Sequence, residues 1–215
     1  PLGRTASVFG PGKAWHESRR AVRNRYLTNS AADSLRCARY VADSDRDAVR
    51  LSRQGDYPEG ELLVTAATDE DGRLSYTFHD KGGQSVLIRR MNGSETLDTY
   101  YVYDACGLLR AVLPPKASAM LESQTGALDM SSATVADLTY LYRYDRRGRP
   151  VGVRRPGAQE VRYLYDDTDR PVFSQDGVQR RSGEWSYSIP DALGREVLRG
   201  TCKTLGGANL AQCLL

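Results

Sequence analysis

The feature that most constrains this chain is a short motif, Tyr-Asp-x-x-Gly-Arg or a close variant, that occurs six times. The best copy spans residues 144–149, and the other copies are centred on Asp69, Asp80, Asp104, Asp166 and Asp191. A motif that recurs along a chain indicates a repeated supersecondary unit. The sequence therefore predicts an array of similar units before it predicts any chemistry.

The spacing of aspartate and glycine within the motif predicts a β-turn. Aspartate at the first position accepts a hydrogen bond from a backbone N–H two residues on, and glycine at the fourth position adopts a positive φ without strain. A type I turn followed by a left-handed bulge residue is a common hairpin connection. The predicted turn residues are Asp69 and Gly72, Asp80 and Gly83, Asp104 and Gly107, Asp145 and Gly148, Asp166 and Asp169, and Asp191 and Gly194. Asp169 replaces glycine, and aspartate tolerates that conformation.

The flanks of the turns alternate as β-strands do. Tyrosines stand two apart before three of the turns, at Tyr101 and Tyr103, Tyr142 and Tyr144, and Tyr163 and Tyr165. A valine follows six residues after the aspartate in four copies, at Val86, Val151, Val172 and Val197. Aromatic and β-branched residues stabilise antiparallel pairs. Each unit is therefore predicted to be a β-hairpin with a ladder of tyrosines that serves packing.

The chain of 215 residues has 40% hydrophobic and 27% charged residues, a composition typical of a globular domain. We predict an all-β fold of antiparallel hairpin repeats that form a twisted, partly spiralled sheet. Strands are expected at 61–68, 73–79, 84–91, 96–104, 108–113 and within 140–199, and also at 21–26. Residues 31–41 are expected to form a strand or a short helix, of which we favour the strand. Helical turns are expected at 116–123 and 134–138, a loop at 126–132, and a helix within 201–215.

These elements predict three regions. Residues 1–60 lack the repeat and form an N-terminal cap, residues 61–200 form the hairpin array with an insertion at 113–139, and residues 201–215 form a C-terminal tail. Each repeat buries its face only against its neighbours, so an array needs covered ends. Because the sequence begins at Pro1 without methionine, we expect it to be part of a longer chain.

No arrangement of residues predicts a catalytic, cofactor or metal site. The histidines are His16 and His79, and neither stands in a zinc-binding motif. Asp43, Asp45 and Asp47 begin like a calcium loop, but Ala48 and Gln54 replace its glycine and its bidentate glutamate. The four cysteines (Cys37, Cys106, Cys202 and Cys213) are widely spaced, and their spacing selects neither a metal site nor a disulfide pairing.

Charge and hydropathy restrict the partners. Residues 1–55 hold eleven Lys and Arg against five Asp and Glu, which makes the first part basic. We interpret this as a solvated surface, or as arginines that pair with turn aspartates elsewhere in the longer protein, because no aromatic residues alternate with the basic ones as base stacking requires. No stretch approaches the roughly 20 apolar residues of a membrane span. Neither nucleic-acid binding nor membrane insertion is therefore predicted.

At residues 144–151 and 165–172, and again at 191–197, the chain resembles the Rhs/YD-repeat family of bacterial secreted and surface proteins. Residues 10–15, 68–73 and 99–104 resemble an uncharacterised domain that opens many such proteins. The resemblance implies a long antiparallel sheet that spirals into a hollow shell, which in complete members encloses a C-terminal toxin. Other members are linked to carbohydrate binding or cell contact. This chain has too few repeats to close a shell alone.

Two functions of different kinds follow. The first is a non-enzymatic structural or interaction module, a wall segment within a secreted or bacterial cell-surface protein, whose partner is the remainder of a larger chain. The alternative is a carbohydrate-binding or cell-adhesion module that contacts a carbohydrate or another surface protein. Its stacking platforms would be Trp15, Trp185 or the ladder tyrosines.

Overall fold

The computed structural model describes residues 3–18, 20–43, 45, 48–128, 130, 135 and 137–203. The strands of its first half are β1 (Ser7–Phe9), β2 (Ala21–Thr28), β3 (Ala38–Ala42), β4 (Leu51–Asp56), β5 (Leu63–Thr68), β6 (Leu74–His79), β7 (Ser85–Asn92), β8 (Glu95–Tyr103) and β9 (Leu109–Leu113). Those of the second half are β10 (Gly126–Leu128), β11 (Tyr140–Tyr144), β12 (Pro150–Arg154), β13 (Val161–Tyr165), β14 (Pro171–Gln175), β15 (Glu184–Pro190) and β16 (Glu196–Lys203). The helices are α1 (Lys13–Glu17), α2 (Pro115–Leu121) and α3 (Gly177–Ser182).

In the described part of the chain, thirteen strands form one sheet in the order β1-β2-β5-β6-β7-β8-β9-β11-β12-β13-β14-β15-β16. Every pair in it is antiparallel, and from β5 onward neighbours in space are almost always neighbours in sequence. The predicted all-β class is confirmed. The structure adds that β1 and β2, from the region without repeats, extend this sheet beyond β5. The division into three regions stays a prediction.

A second layer covers one face of the large sheet. It consists of a small sheet, in the order β10-β4-β3, and of α2, which packs on β8 and β9. The prediction of a loop at 126–132 is wrong for Gly126–Leu128. These residues pair with β4 instead, which satisfies their backbone groups and buries Leu128 in the core.

Residues that stand directly opposite each other in neighbouring strands point to the same face of a sheet. The core face carries Phe78, Leu87 and Tyr100, which are consecutive cross-strand partners, and Tyr100 meets Tyr40 of the small sheet with ring centroids 4.9 Å apart. The opposite face, which we call the tyrosine face, pairs Tyr101 with Val112 and Tyr142 with Val153. Tyrosine–valine pairs therefore lie on the side away from the small sheet, but their valines are Val112 and Val153 and not the valines predicted six residues beyond each aspartate.

Three helical predictions have different outcomes. The helix expected at 116–123 is α2. The turn at 134–138 and the tail beyond Lys203 lie largely or wholly outside the described residues, and the part of the tail that is described, Thr201–Lys203, continues β16 as strand. Helix α3 was not predicted. The side chain of Asp176 caps its N-terminus together with Gln179, and Gly183 ends it with φ 68°.

Candidate functional site

Five of the six motif turns lie side by side at one end of the strands of the large sheet, and we call them the turn row. Strands of an antiparallel sheet alternate in direction, so every second connection lies at the same end of the strands. The turn row consists of the turns at Asp80–Gly83, Asp104–Gly107, Asp145–Gly148, Asp166–Asp169 and Asp191–Gly194, which join β6–β7, β8–β9, β11–β12, β13–β14 and β15–β16. The sixth turn, at Asp69, joins β5 to β6 and therefore lies at the opposite end of the strands.

All six turns have the same local geometry. In the best copy, the Gly148 N–H donates to the Asp145 carbonyl at 3.2 Å, and the Asp145 N–H donates to the Arg149 carbonyl at 3.0 Å. The Asp145 carboxylate accepts from the N–H groups of Arg147 and Arg149 at 2.8 and 2.9 Å. Every fourth residue has a positive φ, from 64° at Asp169 to 82° at Gly72. In five copies the aspartate side chain thus replaces water as the acceptor for two turn amides, and in the copy at Asp80 it accepts from one, the Gln84 N–H.

After each turn of the turn row the strand pairing skips one residue, which is a β-bulge. The skipped residue is always six beyond the aspartate, at Val86, Arg110, Val151, Val172 and Val197. Val86 and Val172 are buried, whereas Val197 on the last strand is 63% exposed. The repeated valine is therefore the bulge residue.

At three turns of the turn row, the residue four beyond the aspartate donates a hydrogen bond to the next turn; at the turn of Asp104 this residue is Leu108, whose side chain has no donor. Arg149 donates through Nε to its own Asp145 at 2.6 Å and through Nη1 to the Asp166 carbonyl at 3.2 Å. Arg170 repeats this arrangement, with Asp166 at 3.1 Å and the Asp191 carbonyl at 3.1 Å. Earlier in the turn row, Gln84 donates to the Gly107 carbonyl at 2.9 Å. We call the turn-to-turn contact that Arg149 and Arg170 make the arginine clasp.

The tyrosine that precedes the aspartate makes a second contact between repeats. Its hydroxyl donates to the carbonyl five residues beyond the aspartate of the preceding repeat. The three examples are Tyr103 to Ser85 at 3.2 Å, Tyr144 to Leu109 at 2.9 Å and Tyr165 to Pro150 at 2.8 Å. Consecutive hairpins are therefore joined by side chains as well as by the sheet.

Arg110 departs from the valine pattern and fastens the acidic segment that resembles a calcium loop. Its guanidinium is 2% exposed, lies 3.2 Å from the Asp104 carboxylate, and donates to the carbonyls of Asp43, Asp45 and Ala48. The carbonyls of Asp43 and Asp45 therefore have an arginine as their donor, while Asp47 lies outside the described residues. In the described ranges no group of three His, Cys, Asp or Glu is placed to hold a metal ion.

A charged cavity of about 170 Å³ lies between the small sheet and the large one. Arg89, on its wall, forms a bidentate pair with Asp98 at 2.8 and 2.6 Å and donates to the Asp33 carbonyl at 2.8 Å. Arg36 bridges Glu122 and Asp56 from the rim. These pairs compensate the charges that the two layers bury, so the cavity is lined by ion pairs and hydrogen bonds that link the layers.

The two predicted stacking platforms lie at opposite ends of the large sheet. Trp15, in α1, is 36% exposed, and its ring lies against Gly10. Trp185, in β15, is partly buried opposite Cys202 on the core face. The structure therefore does not bring them together. Instead, an open groove of about 630 Å³ lies over β13–β16, lined by residues that include Tyr163, Tyr187, Ser174, Ser186 and Arg199.

The remaining predicted residues have structural surroundings. His79 takes the tyrosine position of a repeat, and its Nδ1 lies 3.2 Å from the Ser85 hydroxyl. Cys37, Cys106 and Cys202 are free thiols, and Cys213 lies outside the described residues. None of the helices in the described ranges is long and apolar enough to cross a membrane.

Among solved structures, the chain is similar in fold to a crystal structure of TcdB2-TccC3-TEV, with a TM-score of 0.46 and 14% identity over 89% of this chain. It is also similar to a crystal structure of TcdB2-TccC3-Cdc42, with a TM-score of 0.47 and 11% identity over 87% of this chain. It spans 9% and 13% of the length of those chains. No family model and no curated protein matches the sequence. The Rhs/YD-repeat resemblance thus stays a prediction.

Sequence reasoning missed the arginines of the motif. It assigned roles to the aspartate, glycine and tyrosine, but not to Arg149 or Arg170, although both stand at the same motif position. A basic residue repeated at a fixed offset from a turn aspartate is the signal that indicates the clasp. Arg110 also had a signal, because it is the charged residue at a position that other copies fill with valine.

The turn carboxylates predict a loss of stability in acid. Partial desolvation raises the pKa of Asp166, but hydrogen bonds from Arg170 and Thr168 outweigh it and hold the pKa at about 2. The pKa of aspartate in an unfolded chain is about 3.9. Because the folded pKa is the lower one, the stabilisation is complete above about pH 4 and is lost as the pH falls toward 2.

We therefore expect the melting temperature to fall between pH 4.5 and pH 2.5, as followed by circular dichroism. Asp166→Asn retains an oxygen acceptor for the turn amides but cannot titrate. Its melting temperature should be lower than wild type at pH 7 and should change less across the acidic range. Equal slopes for the two proteins would contradict the assignment.

Proposed function

We propose that this chain is a non-enzymatic structural module, a wall segment of a larger secreted or cell-surface β-shell of the Rhs/YD-repeat kind. Its main partner is then the remainder of the longer protein, in which the shell serves as a scaffold for toxin delivery. The observation that carries the proposal is the turn row, in which side chains join each hairpin to the next.

The contacts suit a wall better than a reaction site. The repeat aspartates are occupied by turn amides and by the clasp arginines, and the repeat tyrosine hydroxyls are occupied by backbone carbonyls. Groups committed in this way fix the curvature and register of a sheet. One face of that sheet carries the second layer. The other, the tyrosine face, is half-buried and carries no second layer among the residues that the structure describes, so it suits lining or covering a larger enclosure.

Protease protection in the longer protein tests the proposal. Substituting Arg149 and Arg170 together with Glu places carboxylates against the Asp145 and Asp166 carboxylates and should open the wall locally. A segment enclosed by the wild-type shell should resist proteinase K and should be digested in the double variant. Arg181→Glu, an exposed change in α3, is the control. Equal digestion of the enclosed segment in all three proteins would overturn the role as a container wall.

A second candidate function is carbohydrate binding in the groove over β13–β16. The observation that favours it is the combination of Tyr163, several serine hydroxyls and Arg199 in one open trough of about 630 Å³. Cross-strand pairing places Tyr163, Ser174 and Ser186 on the tyrosine face. Sugar rings stack on aromatic faces, and hydroxyl and guanidinium groups supply hydrogen bonds to them.

A glycan array followed by calorimetry distinguishes this candidate. A specific sugar that binds the wild type should lose most of its affinity for Tyr163→Ala while the circular dichroism spectrum is retained. Trp15→Ala, at the other end of the sheet, should bind that sugar normally. Absence of any specific glycan, or a loss caused equally by Trp15→Ala, would eliminate the groove as a carbohydrate site.

A further inference from the structure

A recess of about 560 Å³ lies on the core face, where the second layer ends over β11, β12 and β13. Leu141 and Arg154 are cross-strand partners there, and so are Gly152 and Arg162, while Leu128 of β10 contributes from the second layer. The described lining residues lie between positions 48 and 162, and none of them lines the groove over β13–β16. We call it the arginine recess, because its charged lining residues in the described part of the chain are Arg50, Arg143, Arg154, Arg162 and Glu160.

Arg154 lacks the partner that other arginines beside the second layer have. Three of those arginines have a carboxylate 2.5 to 3.2 Å away: Arg89 with Asp98, Arg110 with Asp104 and Arg143 with Glu160. Arg154 makes no ion pair in the described ranges, its Nη2 donates to the Met130 carbonyl at 3.2 Å, and its buried Nε has no acceptor. Buried donors in folded proteins almost always have an acceptor, so this one indicates a bound anion.

Two more arginines add positive charge at the mouth of the arginine recess. Arg162 is 48% exposed and contacts Glu160 through Nε at 3.2 Å, so its two Nη groups have no acceptor in the part of the chain that the structure describes. Arg50 is largely exposed and lies 3.6 Å from Asp45. Glu160 is the one carboxylate among the described lining residues, and Arg143 engages both of its oxygens. Positive charge therefore dominates the recess.

Gly152 keeps the floor of the arginine recess open. A Cβ at this position would lie 2.9 Å from Arg143 Nε and would overlap the Glu160 carboxylate. Because glycine has no side chain, that ion pair lies directly against the strand and leaves space above it. Buried Leu128 and Leu141 form an apolar wall beside the charged groups. A concave apolar wall with a few polar groups is the usual construction of a small-molecule site.

We propose that the arginine recess binds an organic phosphate monoester. Its phosphate oxygens accept from the guanidinium groups of Arg154 and Arg162, and its organic group lies against Leu128 and Leu141. A guanidinium presents parallel N–H donors that match two phosphate oxygens. A phosphate monoester carries about 1.5 to 2 negative charges at neutral pH, whereas a carboxylate or a sulfate ester carries a single one, so the dominance of arginine favours phosphate. This inference does not depend on the proposed role as a wall segment.

Titration calorimetry with phenyl phosphate tests the proposal. We expect saturable binding to the 215-residue chain at low salt, and weaker binding as sodium chloride is added, because salt screens the charges. Inorganic phosphate lacks the apolar group and phenyl sulfate has less charge, so both should bind several-fold more weakly. Phenol, which is neutral at pH 7, should not bind measurably. Amide shifts in nuclear magnetic resonance spectra should change most at Gly152, Arg154 and Arg162.

Substitutions identify the contacts. We expect Arg154→Gln to weaken the binding of phenyl phosphate about tenfold or more, and Arg162→Gln to weaken it about three- to tenfold. Arg162 is half exposed, so its substitution reports on the site even if Arg154→Gln loosens β10. Arg154→Lys keeps the charge without the fork of donors and should recover only part of the affinity. Arg181→Gln, an exposed change in α3, is the control and should alter the affinity less than about twofold.

Phosphatidic acid presents the same monoester at a membrane, and vesicle flotation distinguishes the two sources. The vesicles contain phosphatidylcholine with and without phosphatidic acid. Flotation that requires phosphatidic acid and is lost in Arg154→Gln would support the site and assign it to a lipid. Absence of flotation, together with binding of phenyl phosphate, would support a dissolved ester.

Four outcomes would overturn the inference. These are the absence of saturable binding, an equal loss with Arg154→Gln and Arg181→Gln, amide shift changes centred away from the recess, or phenol binding as tightly as phenyl phosphate. Benzoate provides a further check on the class of anion. If it binds more tightly than phenyl phosphate, the recess is a carboxylate site and the assignment to a phosphate ester is wrong.

Discussion

Arg110→Met should destabilise the protein by about 3–5 kcal/mol, the cost of breaking a buried ion pair by removing one partner. Arg110 is 2% exposed and Asp104 4% exposed, so the substitution leaves a carboxylate buried without its counterion. It also removes the donor to the carbonyls of Asp43, Asp45 and Ala48, which holds that segment on the large sheet. Urea unfolding followed by tryptophan fluorescence measures the loss.

The controls separate charge from packing. In the double variant Asp104→Asn with Arg110→Met, the unpaired charge is gone while an oxygen remains for the turn amides of Cys106 and Leu108. We expect it to be more stable than Arg110→Met alone. Arg199→Met, whose side chain is 75% exposed, should change the free energy of unfolding by less than about 1 kcal/mol. An Arg110→Met protein as stable as Arg199→Met would refute the anchoring role.

Phe78→Ala should cost about 3–5 kcal/mol, because truncating a buried aromatic ring removes its transfer free energy and leaves a cavity. Phe78 is 0% exposed and stands between Val64 and Leu87 on the core face. The Arg89 guanidinium also lies 5.8 Å from the centre of its ring. Since a domain is typically stable by only about 5–15 kcal/mol, the variant should unfold at much lower urea.

The adjacent residue provides a matched comparison. Thr77 belongs to the same strand but points to the tyrosine face, opposite Thr65 and Ile88. Thr77→Ala should cost about 1 kcal/mol or less, with an unchanged dependence on urea. If the two substitutions cost the same, the assignment of the core to one face of the large sheet would be wrong.

The local part of this architecture could be predicted from sequence, because it depends on residues close together in the chain. The offset of three between Asp145 and Gly148 and the spacing of two between Tyr142 and Tyr144 determine a hairpin by backbone geometry alone. The same reasoning located β5–β9 within one or two residues of their bounds. It also predicted α2 within the insertion.

The layering and the site could not be predicted in the same way, because they depend on contacts between distant segments. Strand β10 was expected to be a loop, and it is a strand only because the edge of β4, about seventy residues earlier, accepts its backbone groups. Likewise, Arg110 meets Asp43 and Asp45 through the bulge, which a period of two does not anticipate. The partners of Arg149 and Arg170 could be predicted only from a sheet in which alternate turns lie at the same end of the strands.

Because the strands alternate in direction, the connections at the two ends of the strands differ in how much their length can change. Between β6 and β16, the turn row has connections of constant length whose spacing the clasps fix. The connections at the opposite end of the strands range from the tight turn at Gly93 to helix α3 and the whole segment between β9 and β11. Insertions at that end therefore leave the repeat contacts of the turn row undisturbed. Such a fold can acquire lids, ligand loops or whole domains at the end opposite the turn row, while the turn row preserves the spacing of the array.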